Sequence, residues 1–223
     1  MNSLWIAFKM TVVMTVLTGL LYPLLIFAAA QLLFPWQAEG SLVMRSGKVA
    51  GSALIGQNFT ARRYFYPRPS AAGDKGYDPI NSGGSNLGPT NKTLIEAVRT
   101  RLAKTAQVNG VPASRVPIDL VTTSGSGLDP EISPAAAEIQ VQRVASARRL
   151  TEDQVRALVS SFTRSRWAGI IGEPGVNVLM LNSALDDLRS SGAARTVVDK
   201  RSQSPAASVR YREPLGQSPV NRS

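Results

Sequence analysis

The feature that most constrains this chain is a long run without charge. From Met10 to Ala38 there is no Asp, Glu, Lys or Arg, and Met10 to Phe34 is almost wholly apolar. As a helix rising 1.5 Å per residue, that stretch spans roughly 37 Å, whereas a bilayer core needs about 20 residues. Trp5 and Trp36 flank it, about 46 Å apart if the helix is continuous, which matches a bilayer with its headgroups. Pro23 is expected to kink the helix, and Tyr22 and Gln31 are tolerable where another helix covers them. Ala28-Ala29-Ala30 offers the pattern of a cleaved signal peptide. The apolar stretch exceeds an ordinary signal-peptide core, so a retained anchor is the expectation. Gly19 with Thr11, Thr15 and Thr18 puts small residues at spacings suited to close helix packing in a membrane. Lys9 and the terminal amine precede the span, and Glu39, Arg45 and Lys48 follow it. The charge bias is nearly balanced, with a slight lean towards the N-terminus inside.

The rest of the chain is defined partly by what it lacks. It contains no cysteine and no histidine. Disulfides, thiolate nucleophiles, zinc–thiolate sites and a Ser-His-Asp triad are therefore excluded, and the commonest general base is missing. The net charge of +10, from 25 basic and 15 acidic side chains, suits anionic partners or a plain basic surface.

Beyond the span, Leu42-Val43-Met44, a turn at Ser46-Gly47 and residues 49–55 read as a hairpin running into extended chain. Gly56-Gln57-Asn58-Phe59 follows, then the aromatic knot Tyr64-Phe65-Tyr66 interleaved with Arg62, Arg63 and Arg68. Such a knot can bind nucleic acid; the favoured reading is a surface cluster or protein interface. Residues 67–89 form a long loop rich in Gly, Ser, Pro and Asn, of the kind that is functional or disordered. It holds Gly83-Gly84-Ser85-Asn86-Leu87-Gly88-Pro89-Thr90 directly before a helix. The glycine spacing is that of a phosphate-binding loop, but Pro89 stands where its lysine should follow Gly88.

A helix is expected over residues 91–107, with Leu94, Val98 and Leu102 repeating at i+4 and Asn109-Gly110 closing it. Residues 116–123 read as a strand and 124–127 as a turn. Ser133 is a plausible N-cap with Pro134 at the first helical position, for a helix running to about Arg149. Thr151 and Gln154 form a capping box for the next helix, with Leu150 and Val155 at the staple positions. Val155, Leu158, Val159 and Phe162 are its buried stripe. Residues 176–181 read as a strand, and Asn182 as the cap of a last helix ending near Gly192. Asp129 and Glu131 are the one tempting carboxylate pair, better read as turn and helix-dipole residues. Residues 193–223, rich in Ser, Arg and Pro, are expected to be a disordered basic tail.

In order along the chain stand Tyr22-Pro23-Leu24, Gly56-Gln57-Asn58-Phe59, Tyr64-Phe65, Arg68-Pro69-Ser70-Ala71-Ala72-Gly73 and Tyr77-Asp78-Pro79. The block Ser82-Gly83-Gly84-Ser85-Asn86-Leu87-Gly88-Pro89-Thr90-Asn91 is the most telling. Ser126-Gly127-Leu128-Asp129-Pro130, Ile132-Ser133-Pro134-Ala135-Ala136-Ala137, Gly172-Glu173-Pro174 and Asn177-Val178-Leu179 complete the series. With these motifs over residues 5–188, the chain resembles the C subunit of Kdp-type potassium-transporting ATPases. It departs from that pattern where Glu131 replaces a usual histidine, where Gly175 replaces a usual arginine, and in the length of its tail.

The resemblance implies an α+β soluble domain tethered to a single N-terminal transmembrane helix. Its parts are a short N-terminal segment (1–9), the transmembrane helix (10–34), the soluble domain (35–189) and the tail (190–223). It implies an accessory, non-catalytic subunit of an ATP-driven potassium importer, regarded in the family as a catalytic chaperone that raises the ATPase subunit's affinity for ATP. Partners would be a channel-like potassium-binding subunit, a P-type ATPase subunit and the lipid bilayer; no nucleic acid is expected. The chain would carry no cofactor of its own, ATP and Mg entering through the ATPase subunit, and no metal or catalytic residue. It would lie in the cytoplasmic membrane with its N-terminus inside and its domain outside. Ser82, Gly83, Gly84, Ser85, Asn86, Gly88, Thr90 and Asn91 would form a nucleotide- or partner-contact loop, Ser82 to Gly84 resembling the signature loop of ABC-type ATPases. Asn58, Tyr64, Phe65, Arg68, Asp129 and Glu173 would belong to an interface. A nucleotide-binding regulator on the inner face, or a tethered nucleic-acid binder, is the alternative.

Overall fold

A computed structural model describes residues 2–45 and 47–190. The chain divides into two compact units, one up to Leu42 and one from Val43 onward. The expected tail and the end of the last helix near Gly192 lie outside the described residues, as does Ser46 of the expected turn.

The first unit is helical. α1 (Asn2–Val16) passes through a π turn (Leu17–Leu21) into α2 (Tyr22–Leu33). Together they form one apolar helix of 32 residues, long enough to cross a membrane, with none of its most hydrophobic window buried. Pro23 lacks the N–H that continues an α-helix, and the wider π turn just before it absorbs the mismatch. Thr11 and Thr18 donate their hydroxyls to the carbonyls of Ala7 and Met14, so neither leaves a polar group unmet on the apolar surface. The helix stops at Phe34 (φ −138°), and Trp36 lies on a separate turn, α3 (Pro35–Ala38). The two tryptophans therefore do not share one continuous helix, because Pro35 disfavours helical backbone at the residue before it.

In the second unit, β1 (Leu42–Arg45) pairs with β2 (Lys48–Ser52). No helix or strand then occurs before α4 (Lys92–Asn109). Asn91 caps α4, its side chain accepting from the N–H groups of Thr93 and Leu94, and Gly110 (φ +66°) closes it in the left-handed conformation.

The expected strand over 116–123 is not formed. Two 3-10 turns, Ala113–Arg115 and Ile118–Leu120, stand there instead. Pro112 and Pro117 each precede one of them, fixing φ at −65° and removing the donors a ladder would need.

The core lies beyond this point. β3 (Glu131–Ile132) and β4 (Thr163–Arg164) both pair antiparallel with β5 (Gly175–Asn177). α5 (Pro134–Glu138) and α8 (Val178–Ser190) pack on β5, and α7 (Glu152–Ser161) packs on both of them and on α6 (Val141–Arg148). Ile132, Val141, Val144, Val155, Val176, Leu181 and Leu185 are fully buried there, and Phe65 enters from the loop region. The helix expected from Pro134 to Arg149 is two helices. The break falls at Ile139 and Gln140, where the Gln140 amide turns inward to serve other backbone. The Thr151–Gln154 capping box is present in both directions.

At the end of the chain the strand is shorter than expected, and α8 begins at Val178. Asn177 serves as the cap, accepting from the Met180 N–H at 3.0 Å. Asn182, expected to cap, sits buried inside α8. It accepts from the Phe65 N–H and donates to the Phe65 carbonyl, at 2.8 and 3.0 Å.

Candidate functional site

The motif segments that lie far apart in sequence converge on one short stretch, residues 124–129. The Gly56 N–H donates to the Leu128 carbonyl at 2.7 Å, and a β-carbon on Gly56 would meet the Asp129 carbonyl at 2.6 Å. Arg68 pairs with the Asp129 carboxylate at 2.9 Å and donates to the Thr123 carbonyl. The Gly83 N–H and the Ser82 hydroxyl both donate to the Ser126 carbonyl, at 2.8 and 3.0 Å. Gly84 lies against the backbone of Ser124 and Gly125. Gly127 (φ +67°) leaves no room for a β-carbon beside the Gly83 carbonyl and the Ala72 N–H. The glycines here allow backbones to lie directly on one another.

The loop before α4 is braced the same way. The Ser70 hydroxyl accepts from the N–H groups of Ala72 and Tyr77, and the Tyr77 hydroxyl donates to the Arg68 carbonyl. Burial pushes the Tyr77 phenol up to about 12, so it stays a donor at any physiological pH. Asp78 accepts from Asn81 and from the Ile80 N–H, which hold its carboxyl below the usual range.

These contacts define what the glycine-rich stretch offers to a ligand. The Gly83 N–H is engaged by Ser126, and the Thr93 and Leu94 N–H groups of α4 are engaged by Asn91. Ser85, Asn86, Gly88, Thr90 and Asn91 form an exposed edge, with Asn86 left-handed at φ +52°.

The aromatic knot is a second cluster. Phe65 is wholly buried. Arg143 lies 3.9 Å from the Tyr66 ring centroid, and Arg63 and Arg148 lie 5.0 Å from that of Tyr64. Arg143 is buried and donates to Asn109, to Gln140 and to the carbonyls of Arg62 and Tyr64. Burial pulls its guanidinium down to about 10, still charged at neutral pH. Asp186 on α8 gathers Arg45, Arg148 and the Tyr64 hydroxyl. Burial pushes its carboxyl up, but these hydrogen bonds outweigh that and hold it below the ordinary value.

The expected interface residues thus separate. Arg68 and Asp129 meet at the 124–129 junction; Tyr64 and Phe65 belong to the aromatic knot. Asn58 is exposed, and Glu173 pairs with Arg166 on the β4–β5 connection. The sequence reading missed Gln140, Arg143, Arg148, Asn182 and Asp186. Their signal was only that polar side chains recur within apolar helical stretches. Among the described residues, no group of three or more acidic, His or Cys side chains is placed to hold a metal ion.

Comparison with known proteins follows the same residues. The family model described as K+-transporting ATPase, c chain (KdpC) matches residues 4–187. The potassium-transporting ATPase KdpC subunit of Gemmatimonas aurantiaca is 54% identical over 191 residues, covering 86% of this chain and 96% of that protein. That of Polaromonas naphthalenivorans is 52% identical over 192 residues, covering 86% and 98%. That of Rhodospirillum rubrum is 55% identical over 174 residues, covering 78% and 90%. The family match ends before the basic segment 190–223 begins.

Proposed function

This chain belongs to the KdpC family, the c chain of K+-transporting ATPases, and on that premise we propose that it is the non-catalytic accessory subunit of a high-affinity potassium importer. It is held to the membrane by α1 and α2 with its domain outside. There it stabilises assembly between the channel-like subunit and the P-type ATPase subunit. Through that assembly it raises the ATPase subunit's affinity for ATP, which enters with Mg at that subunit's own site.

The observation that carries this reading is the junction at residues 124–129. The segments around Gly56, from Arg68 to Ala72 and from Ser82 to Gly84, which carry the resemblance, pack there on one backbone stretch. What this packing displays is the exposed edge from Ser85 to Asn91. Because the Gly83 N–H and the Thr93 and Leu94 N–H groups at the start of α4 are already engaged, an effect on ATP is better exerted through the partner than by a phosphate held in this loop.

The test is co-expression of the full chain with the other transporter subunits. A stable complex whose ATPase needs more ATP when this chain is deleted, with poorer growth at limiting potassium, is expected. Recovery of the chain alone, with growth and ATP dependence unchanged by its deletion, would sink the reading. Sidedness is tested by Ser114→Cys, an exposed position in a chain without cysteine. An impermeant maleimide should label it in intact cells whose outer membrane, if present, is permeabilised.

A further inference from the structure

The connection between β4 and β5 ends in an apolar tip that its own domain does not cover. Trp167, Ile170 and Ile171 are 71%, 78% and 56% exposed. The tip is nevertheless well formed. The Trp167 N–H donates to the Ile171 carbonyl at 2.8 Å, and the Ile171 N–H returns the bond at 3.0 Å. Ala168 and Gly169 turn the chain with φ +50° and +77°. Nothing lies within 4 Å of where β-carbons would stand on Gly169 and Gly172, so the tip projects into open space. Below it, each arginine of the hairpin is matched by a carboxylate: Arg166 by Glu173 at 3.0 Å and Arg164 by Glu131 at 2.7 Å.

Large apolar side chains grouped on a surface mark an interaction site, and a tryptophan beside aliphatic residues is the composition of an anchoring hot spot. The collar decides what kind of surface it meets. Attachment to anionic lipid relies on uncompensated Lys and Arg around the apolar residues. Here both arginines are neutralised by glutamates, which suits an uncharged protein groove. We propose that the Trp167–Ile171 tip is a docking finger that buries in an uncharged apolar groove on another subunit of the same transporter complex, on the side of the membrane where the domain lies. This rests on the reading of the chain as an assembled subunit.

The test compares full chains co-expressed with the other transporter subunits. The double substitution Trp167→Ser with Ile170→Ser is set against Ile118→Ser, which alters a side chain 74% exposed elsewhere on the domain. Partner recovery should fall at least tenfold for the finger variant, with its thermal unfolding midpoint unchanged, and match wild type for Ile118→Ser. Recovery equal to wild type for the finger variant overturns the proposal. The sequence has three tryptophans, so Trp5→Phe with Trp36→Phe leaves Trp167 as the sole emitter. Its emission should shift to the blue on assembly and stay unquenched by brominated lipid in vesicles holding the chain alone. Quenching there would assign the finger to the bilayer, and emission unchanged by assembly would leave it in water; either refutes the groove. Failure of the wild-type chain to recover any partner would instead refute the accessory-subunit reading, and the finger with it.

Discussion

The carboxylate of Glu131 lies in the space beside Gly175 that a β-carbon would fill, and from there it pairs with Arg164. The neighbouring strands place them so: Glu131 is on β3, Gly175 on β5, and Arg164 opposite Gly175 on β4. Glu131 and Gly175 are both positions where the chain departs from the pattern the resemblance supplies. In space the two positions adjoin, the Glu131 carboxylate lying where a side chain on Gly175 would begin.

Gly175→Ala should therefore push the Glu131 carboxylate aside and loosen its bond to Arg164. The carboxylate is the far end of a flexible side chain and Arg164 is well exposed, so the cost should be about 1 kcal/mol. In a Glu131→Ala background the same change should be nearly neutral. Urea unfolding of the two single variants and the double variant measures the coupling. Strictly additive costs would show that Glu131 does not occupy that space.

Asp186 supports a prediction about pH. Its carboxyl is held below the ordinary value of 3.8, burial being outweighed by hydrogen bonds from Arg45, Arg148 and Tyr64. A carboxyl depressed in the folded state contributes stability that is fully present above its unfolded value and lost as pH falls through its folded value. Asp186→Asn should be about 2 kcal/mol less stable at neutral pH, less than for a fully buried pair. From about pH 4 downward the gap to wild type should narrow, closing as pH falls through the folded value. A gap that persists down to pH 2 would mean that the charge on Asp186 does not contribute.

What the sequence revealed divides along the range of the interactions. The Thr151–Gln154 box, the Ser133 cap and the Gly110 stop depend on neighbours within a few residues, and all were legible. Asn177 and Asn182 looked alike in the same apolar run. Only the Phe65 backbone, far away in the chain, decides which is buried and which caps. The alternation over 116–123 was real, but Pro112 and Pro117 outweighed it. The aromatic knot was visible as rings among Arg62, Arg63 and Arg68. Arg143, which binds its backbone, comes from α6, and no local pattern points to it. The glycines were recognised as a required loop shape; which of them is constrained needed the opposing segment of residues 124–127.

Those glycines separate cleanly by substitution. Gly127 is left-handed and packed on the Gly83 carbonyl and Ala72, so Gly127→Ala combines backbone strain with a clash and should cost about 3 kcal/mol or more. Gly88 has open space around it and no positive φ, so Gly88→Ala should lie within about 0.5 kcal/mol of wild type. Thermal unfolding of the purified full chain reads both. Equal effects at the two positions would contradict the packing of 82–84 against 124–127.

Arg143 makes the last prediction. Its guanidinium spans Asn109, Gln140 and the carbonyls of Arg62 and Tyr64, and no carboxylate bonds to it among the described residues. A lysine ammonium is a compact donor that cannot reach all of these directions, so Arg143→Lys leaves buried acceptors unmet. The expected loss is about 3 kcal/mol. Hydrogen exchange tells where it falls. The Tyr66 N–H donates to Gln140 Oε1, which Arg143 also holds, whereas the Phe65 N–H donates to Asn182. The Tyr66 amide should exchange at least tenfold faster in the variant, while the Phe65 amide changes less because Asn182 retains both its bonds. Equal acceleration of the two amides would mean that Arg143 supports the core as a whole. Unchanged exchange at Tyr66 would mean that Gln140 alone secures the knot.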